Sequence, residues 1–129
     1  MSYEPGTCNI GQSETRKRAA MGTVSLLAGV AFLFYAVFVA DWPTTYTLGS
    51  FVFFFGAATG FVQARARFCA GFGVLGRYDL SGSGGDSGQV DAADALARDR
   101  RRALEILGYA FVAAVVATGL AYGLALFLM

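Results

Sequence analysis

Residues 19–40, AAMGTVSLLAGVAFLFYAVFVA, form a stretch with no charged side chain in 22 positions. At about 1.5 Å per residue, a helix of this length reaches roughly 33 Å, enough to cross a hydrocarbon core of about 30 Å. The cluster Arg16, Lys17, Arg18 precedes it, so a cleaved signal peptide competes with a membrane helix. The length of the run, and Phe38 in place of a small residue before Asp41, favour an uncleaved span.

The rest of the chain agrees in character. Of 129 residues, 56% are hydrophobic and 15% charged, with a mean hydropathy of +0.53, whereas a soluble domain carries about 25% charge. The apolar residues are gathered in runs, and the pattern predicts an all-α integral membrane protein with three transmembrane helices.

Working outward from 19–40, the segment 1–18 is polar and short of core-forming side chains. On the other side, DWPTTYT at 41–47 is a short connection in which Pro43 stops the helix, and Trp42 and Tyr46 suit a membrane interface. The second span is predicted at 48–64, closed by Arg65 and Arg67, and its roughly 26 Å is slightly short. The following FCAGFGVLG at 68–76 is too short to cross, and reads as an interfacial or re-entrant segment. A turn at 77–79 leads into LSGSGGDSG at 80–88, a flexible linker by composition. Asp91 and Asp94 then signal a helix start. That helix is expected to pass unbroken through the collar Arg98, Arg100, Arg101, Arg102 into a third span at 103–129.

Three alternating spans put 1–18 and the loop 65–102 on one side, together with all ten basic residues: Arg16, Lys17, Arg18, Arg65, Arg67, Arg77, Arg98, Arg100, Arg101 and Arg102. The positive-inside rule makes that side cytoplasmic, hence N-in and C-out in the cytoplasmic membrane.

Chemistry is sparse. No ionisable residue lies at central depth in any span, which counts against a pump or coupled transporter; an oligomeric channel or exporter assembled from several chains stays open. Phenylalanines such as Phe32, Phe34 and Phe53 read as packing or lipid-facing, and with no histidine the chain lacks the usual haem ligand and a local zinc signature. No cofactor or metal is expected, and no basic and aromatic surface is organised for nucleic acid. The collar Arg98–Arg102 already has a role in topology, with anionic lipid or an acidic partner as a second reading.

Small residues recur at helical spacing: Gly49, Gly56 and Gly60 in the second span, and Gly119 and Gly123 in the third, beside Ala113, Ala117, Ala121 and Ala125. Such faces let backbones approach closely, either among the three helices or in a homo-oligomer or complex with another membrane protein. Cys8 and Cys69 are expected on the same cytoplasmic face. Arg65 and Arg67 precede Cys69, and positive charge favours the reactive anion of a thiol. A thiol site for redox, persulfide or soft-metal handling is one reading; two unrelated reduced cysteines are the other.

Residues around the cysteines carry a resemblance: Asn9-Ile10-Gly11, Glu14, Arg16 and Arg18 before a span with Gly22 and Gly29, then Thr59-Gly60 leading to Cys69 and a closing Leu75-Gly76. Over about residues 8–80 this resembles the small YgaP-like transmembrane domain family, whose pattern is an Asn-Val-Gly start, two spans and a Cys-Pro segment ending in Leu-Gly. Ala70 stands where the family has proline, and the linker and third span have no counterpart in the two-span unit. The resemblance implies a membrane anchor or oligomerising module associated with sulfur-compound handling, with Asn9, Gly11 and Cys69 as family positions. No rhodanese-like stretch accompanies it, so no sulfurtransferase activity transfers. The expected function is a non-enzymatic scaffold or accessory subunit, with the thiol site and the channel as alternatives.

Overall fold

The computed structural model describes residues 3–80 and 87–128; the centre of the expected flexible linker, 81–86, lies outside the described residues. Helix α1, Gln12–Phe34, continues into a π-helical turn, Tyr35–Val39. A 3-10 turn, Thr44–Gly49, leads into α2, Ser50–Ala66. After the short α3, Ala70–Leu75, strand β1, Arg77–Asp79, pairs antiparallel with β2, Ser87–Gln89, and α4 runs over Ala93–Leu128. Three of these helical stretches are long and apolar enough to cross a membrane: Gln12–Val39, Thr44–Ala66 and Ala93–Leu128.

The helices are longer than the apolar runs alone suggest. α1 begins at Gln12 because its charged first turns are internally satisfied: Glu14 bonds Lys17 at 3.1 Å and Arg18 at 3.5 Å, one turn on. The second span gains the 3-10 turn, whose steeper rise brings its 23 residues to roughly 37 Å, so its expected shortness disappears. Helix α4 carries its collar arginines on unbroken helix for 36 residues. The turn expected at 77–79 is instead a strand. Gly76, at φ +72°, ends α3 in the left-handed conformation and sends the chain into the two-stranded ladder.

Helices α1 and α2 touch backbone to backbone. A Cβ on Gly60 would sit 2.7 Å from the Arg18 carbonyl oxygen and 2.9 Å from Gly22 Cα, and one on Gly29 would sit 2.8 Å from Phe53 Cβ. Beside Gly56 the space is taken by the Ser25 hydroxyl, which donates to the Phe53 carbonyl at 2.7 Å. Helix α4 presents a stripe of mostly small buried residues, Ala95, Asp99, Ala103, Ile106, Ala110, Ala114 and Thr118. Against it pack Phe68 and Ala70 from the α2–α3 junction, flanked by Val62 and Ala66.

The two ends of the bundle differ. At one, Trp42 gathers Phe32, Tyr35 and Tyr46 with ring centroids 5.5–6.1 Å apart, as aromatic residues do at membrane interfaces. At the other, the N-terminal segment, α3 and the β-ladder form a folded cap that carries the basic residues. Between the ends, large apolar side chains such as Leu27, Phe34, Val52, Val112, Leu120 and Phe127 are exposed.

Candidate functional site

The cap is built on the N-terminal segment, which is folded and not the loose polar arm that its composition suggests. Glu4 and Cys8 bridge each other across a turn in which Gly6 adopts φ +71°. That turn docks on α4 through Asp99, fully buried inside the arginine collar: its carboxylate accepts the Gly6 N–H at 2.7 Å and the Tyr3 hydroxyl at 2.5 Å. Tyr3 also stacks on Tyr78 of β1, with centroids 4.7 Å apart. Burial first, and then donation to Asp99, push the Tyr3 phenol well above the ordinary tyrosine range.

From Cys8 the chain runs extended through Asn9 and Ile10, both wholly buried. Asn9 makes four hydrogen bonds. Its backbone N–H donates to the Arg67 carbonyl at 3.2 Å and its carbonyl accepts the Asp79 N–H at 2.8 Å. Its side-chain amide accepts the Cys69 N–H at 2.7 Å and donates to the Cys69 carbonyl at 3.1 Å. The amide thus takes the place of a neighbouring strand where the chain leaves α2. Gly11 N–H donates to the Asp79 carbonyl at 2.9 Å, completing the link to β1. The junction needs this support, because Arg67 closes α2 at φ +54°, a conformation that costs a side-chain-bearing residue on the order of 1 kcal/mol.

Gln63, nearly buried one turn before the end of α2, stabilises the same junction. Its side chain donates to the Thr59 carbonyl at 3.1 Å and accepts the Ala70 N–H at 2.9 Å. Cys69 therefore sits 7% exposed between two amide side chains that fix its backbone on either side. The charge beside its sulfur comes from α1: Arg18 Nη2 donates to Cys69 Sγ at 3.3 Å while also pairing with Glu14, and Arg18 Nε is buried without a hydrogen-bond partner. The basic partner of the thiol is therefore Arg18, fifty-one residues away in sequence, and not the adjacent Arg65 and Arg67, both exposed.

Cys8 is a free, half-buried thiol that donates to the Ile10 carbonyl at 3.5 Å, and Cys69 is likewise free. Among the described residues, no group of three or more His, Cys, Asp or Glu side chains is gathered to hold a metal ion. What the arrangement offers chemically is a single sheltered sulfur against a guanidinium.

The glycines fall into two groups. Gly56 and Gly60, together with Gly22 and Gly29 of α1, close the α1–α2 contact, and Gly49 lies 3.4 Å from the Phe32 ring by the same measure. Gly119 and Gly123 of α4, with Gly108, have nothing within 4 Å of where a Cβ would stand. In the collar, Arg101 and Arg102 share Glu105 at 3.6 and 3.2 Å, and Arg100 reaches the Val74 carbonyl at 3.4 Å. Arg16 and Arg98 are exposed cap residues, Arg98 lying against the N-terminal turn at Gly6.

Asp99 and Gln63 went unrecognised in the sequence. A lone acid among four arginines reads as collar charge, and a glutamine at the end of a span reads as polar edge. Compared with protein-family models, with curated proteins and with solved structures, the chain finds no match in any of the three.

Proposed function

We propose that the protein is a non-enzymatic multi-pass scaffold of the cytoplasmic membrane that assembles with further copies of itself through the outer face of α4. The observation that carries this is the contrast among the glycines: those of α1 and α2 are closed by a neighbouring helix, whereas Gly108, Gly119 and Gly123 meet nothing. Gly108, Val112, Val115, Gly119 and Gly123 recur at spacings of four, three, four and four, a single helical stripe. Each glycine weakens a helix by about 0.5–1 kcal/mol relative to alanine, and close packing of a second helix offsets that cost.

The N-in, C-out orientation belongs to the same proposal and is supported by the ten basic residues, none of which lies on the C-terminal side of Arg102 or between 19 and 64. Kinship with the YgaP-like membrane domains also belongs to it. Its support is that Asn9 and Cys69, two of the positions carrying the resemblance, are hydrogen-bonded to each other.

The test is the mass of the protein in mild detergent. A fixed oligomer is expected, dissociated by the double substitution Gly119→Leu, Gly123→Leu with helix content unchanged. A monodisperse monomer would sink the reading.

A second reading is favoured by one specific contact, the Arg18 guanidinium on Cys69 Sγ: a cap-side thiol for sulfur or redox handling. Arg18→Gln should then slow Cys69 alkylation by a small neutral reagent at neutral pH. Unchanged or faster alkylation assigns the contact to packing.

A further inference from the structure

A cavity of about 400 Å³ opens where the end of α2 passes α4, lined by Val62, Arg65, Ala66, Arg102 and Tyr109. Its position is set by the sequence: Arg65 stands in the last turn of the second span, and Arg102 immediately precedes the apolar run of the third. Two arginines from different helices therefore line one cavity where apolar helix gives way to charged helix.

Local charge is not balanced there. Glu105 is shared by Arg101 and Arg102, and Asp99, the other acid of the collar, is turned away into its bonds with Tyr3 and Gly6. Arg65 is exposed, and no ion pair joins it to a carboxylate among the described residues. An anion placed between Arg65 and Arg102 would meet a net positive field and planar donors suited to two-point contact with phosphate oxygens.

The remaining walls select among anions. Val62 lies one turn from Arg65 towards the middle of α2. Tyr109 lies two turns from Arg102 along α4, roughly 10 Å deeper by helical rise, and is 61% exposed. The cavity is cationic at its mouth and apolar and aromatic below. That gradient suits a molecule with a phosphate at one end and a hydrocarbon chain at the other.

We propose that this cavity binds the phosphate of an anionic phospholipid, held between Arg65 and Arg102 with the upper acyl chain along Val62 and Tyr109. The proposal rests on the membrane reading, but not on the orientation or on assembly through α4. Free phosphate shares the headgroup chemistry and lacks the chain.

Native mass spectrometry of the full-length protein in a neutral detergent tests this, with phosphatidylglycerol, phosphatidylcholine and inorganic phosphate as probes. A phosphatidylglycerol adduct should survive in preference to phosphatidylcholine, and excess inorganic phosphate should not displace it. Arg65→Gln and Arg102→Gln should each weaken it about fivefold, the worth of one arginine at an anionic lipid surface. Arg77→Gln, in β1, should leave it unchanged. Arg65→Lys, which keeps the charge and is exposed enough to spare the fold, should retain binding better than Arg65→Gln. Equal adducts with the two lipids, displacement by inorganic phosphate, or indifference to both arginine substitutions would overturn the proposal. The same spectra report oligomer mass, so loss of the oligomer on the double substitution Gly119→Leu, Gly123→Leu with lipid still bound separates this site from the assembly reading.

Discussion

Asn9 is a polar side chain with no exposure, tolerated because all the groups it buries are paired. Removing the amide strands the Cys69 N–H in a buried junction, while the Cys69 carbonyl keeps the Gly73 N–H at 2.9 Å, and an unsatisfied backbone group costs about 1–3 kcal/mol. Asn9→Ala is therefore expected to lower unfolding stability by about 1–3 kcal/mol and to expose Cys69 to alkylation. A variant that melts with the parent and keeps Cys69 protected would show that the clamp contributes nothing. Asn9→Asp keeps the shape but turns a second acceptor towards the Cys69 carbonyl, so it should not rescue. The sequence flagged both residues through a resemblance and could not pair them: a contact across sixty residues leaves no local signal.

Among the elements, the α1–α2 pair and α4 use glycine in opposite ways. Gly60→Ala would force its new methyl against the Arg18 carbonyl oxygen and Gly22 Cα, which are backbone and cannot rotate away. Separating the helices should cost about 1–3 kcal/mol, as overpacking does. Within one chain Gly108→Ala meets open space, so in a detergent that keeps the protein monomeric it should be neutral or stabilise α4 by about 0.5–1 kcal/mol. Unfolding of the two variants in the same detergent checks the pair, and equal effects would contradict the close α1–α2 approach. The glycine spacing was legible in both spans, yet spacing alone gave Gly56 and Gly119 the same rank. Which glycine is filled depends on what lies opposite, and α4 turns its alanines, not its glycines, inward.

At the scale of the whole molecule, the chain is a bundle with a basic, folded cap at one end and an aromatic cluster at the other. If the cap is cytoplasmic, the exposed part of Cys8 should react with a membrane-impermeant maleimide only from the cytoplasmic side of oriented vesicles, and labelling from outside would invert the proposed topology. Cys69, 7% exposed, should react far more slowly. The number of long apolar helices and the one-sided distribution of arginine were fixed by the sequence itself, because transfer of a helix into hydrocarbon depends on each run by its own length and charge. The fold of the cap was not. Arg18 on Cys69, Asp99 under the N-terminal turn and Asn9 on Cys69 each join segments far apart in the chain. Their energies arise from pairing buried polar groups, and only the tertiary structure decides which groups are brought together to be paired.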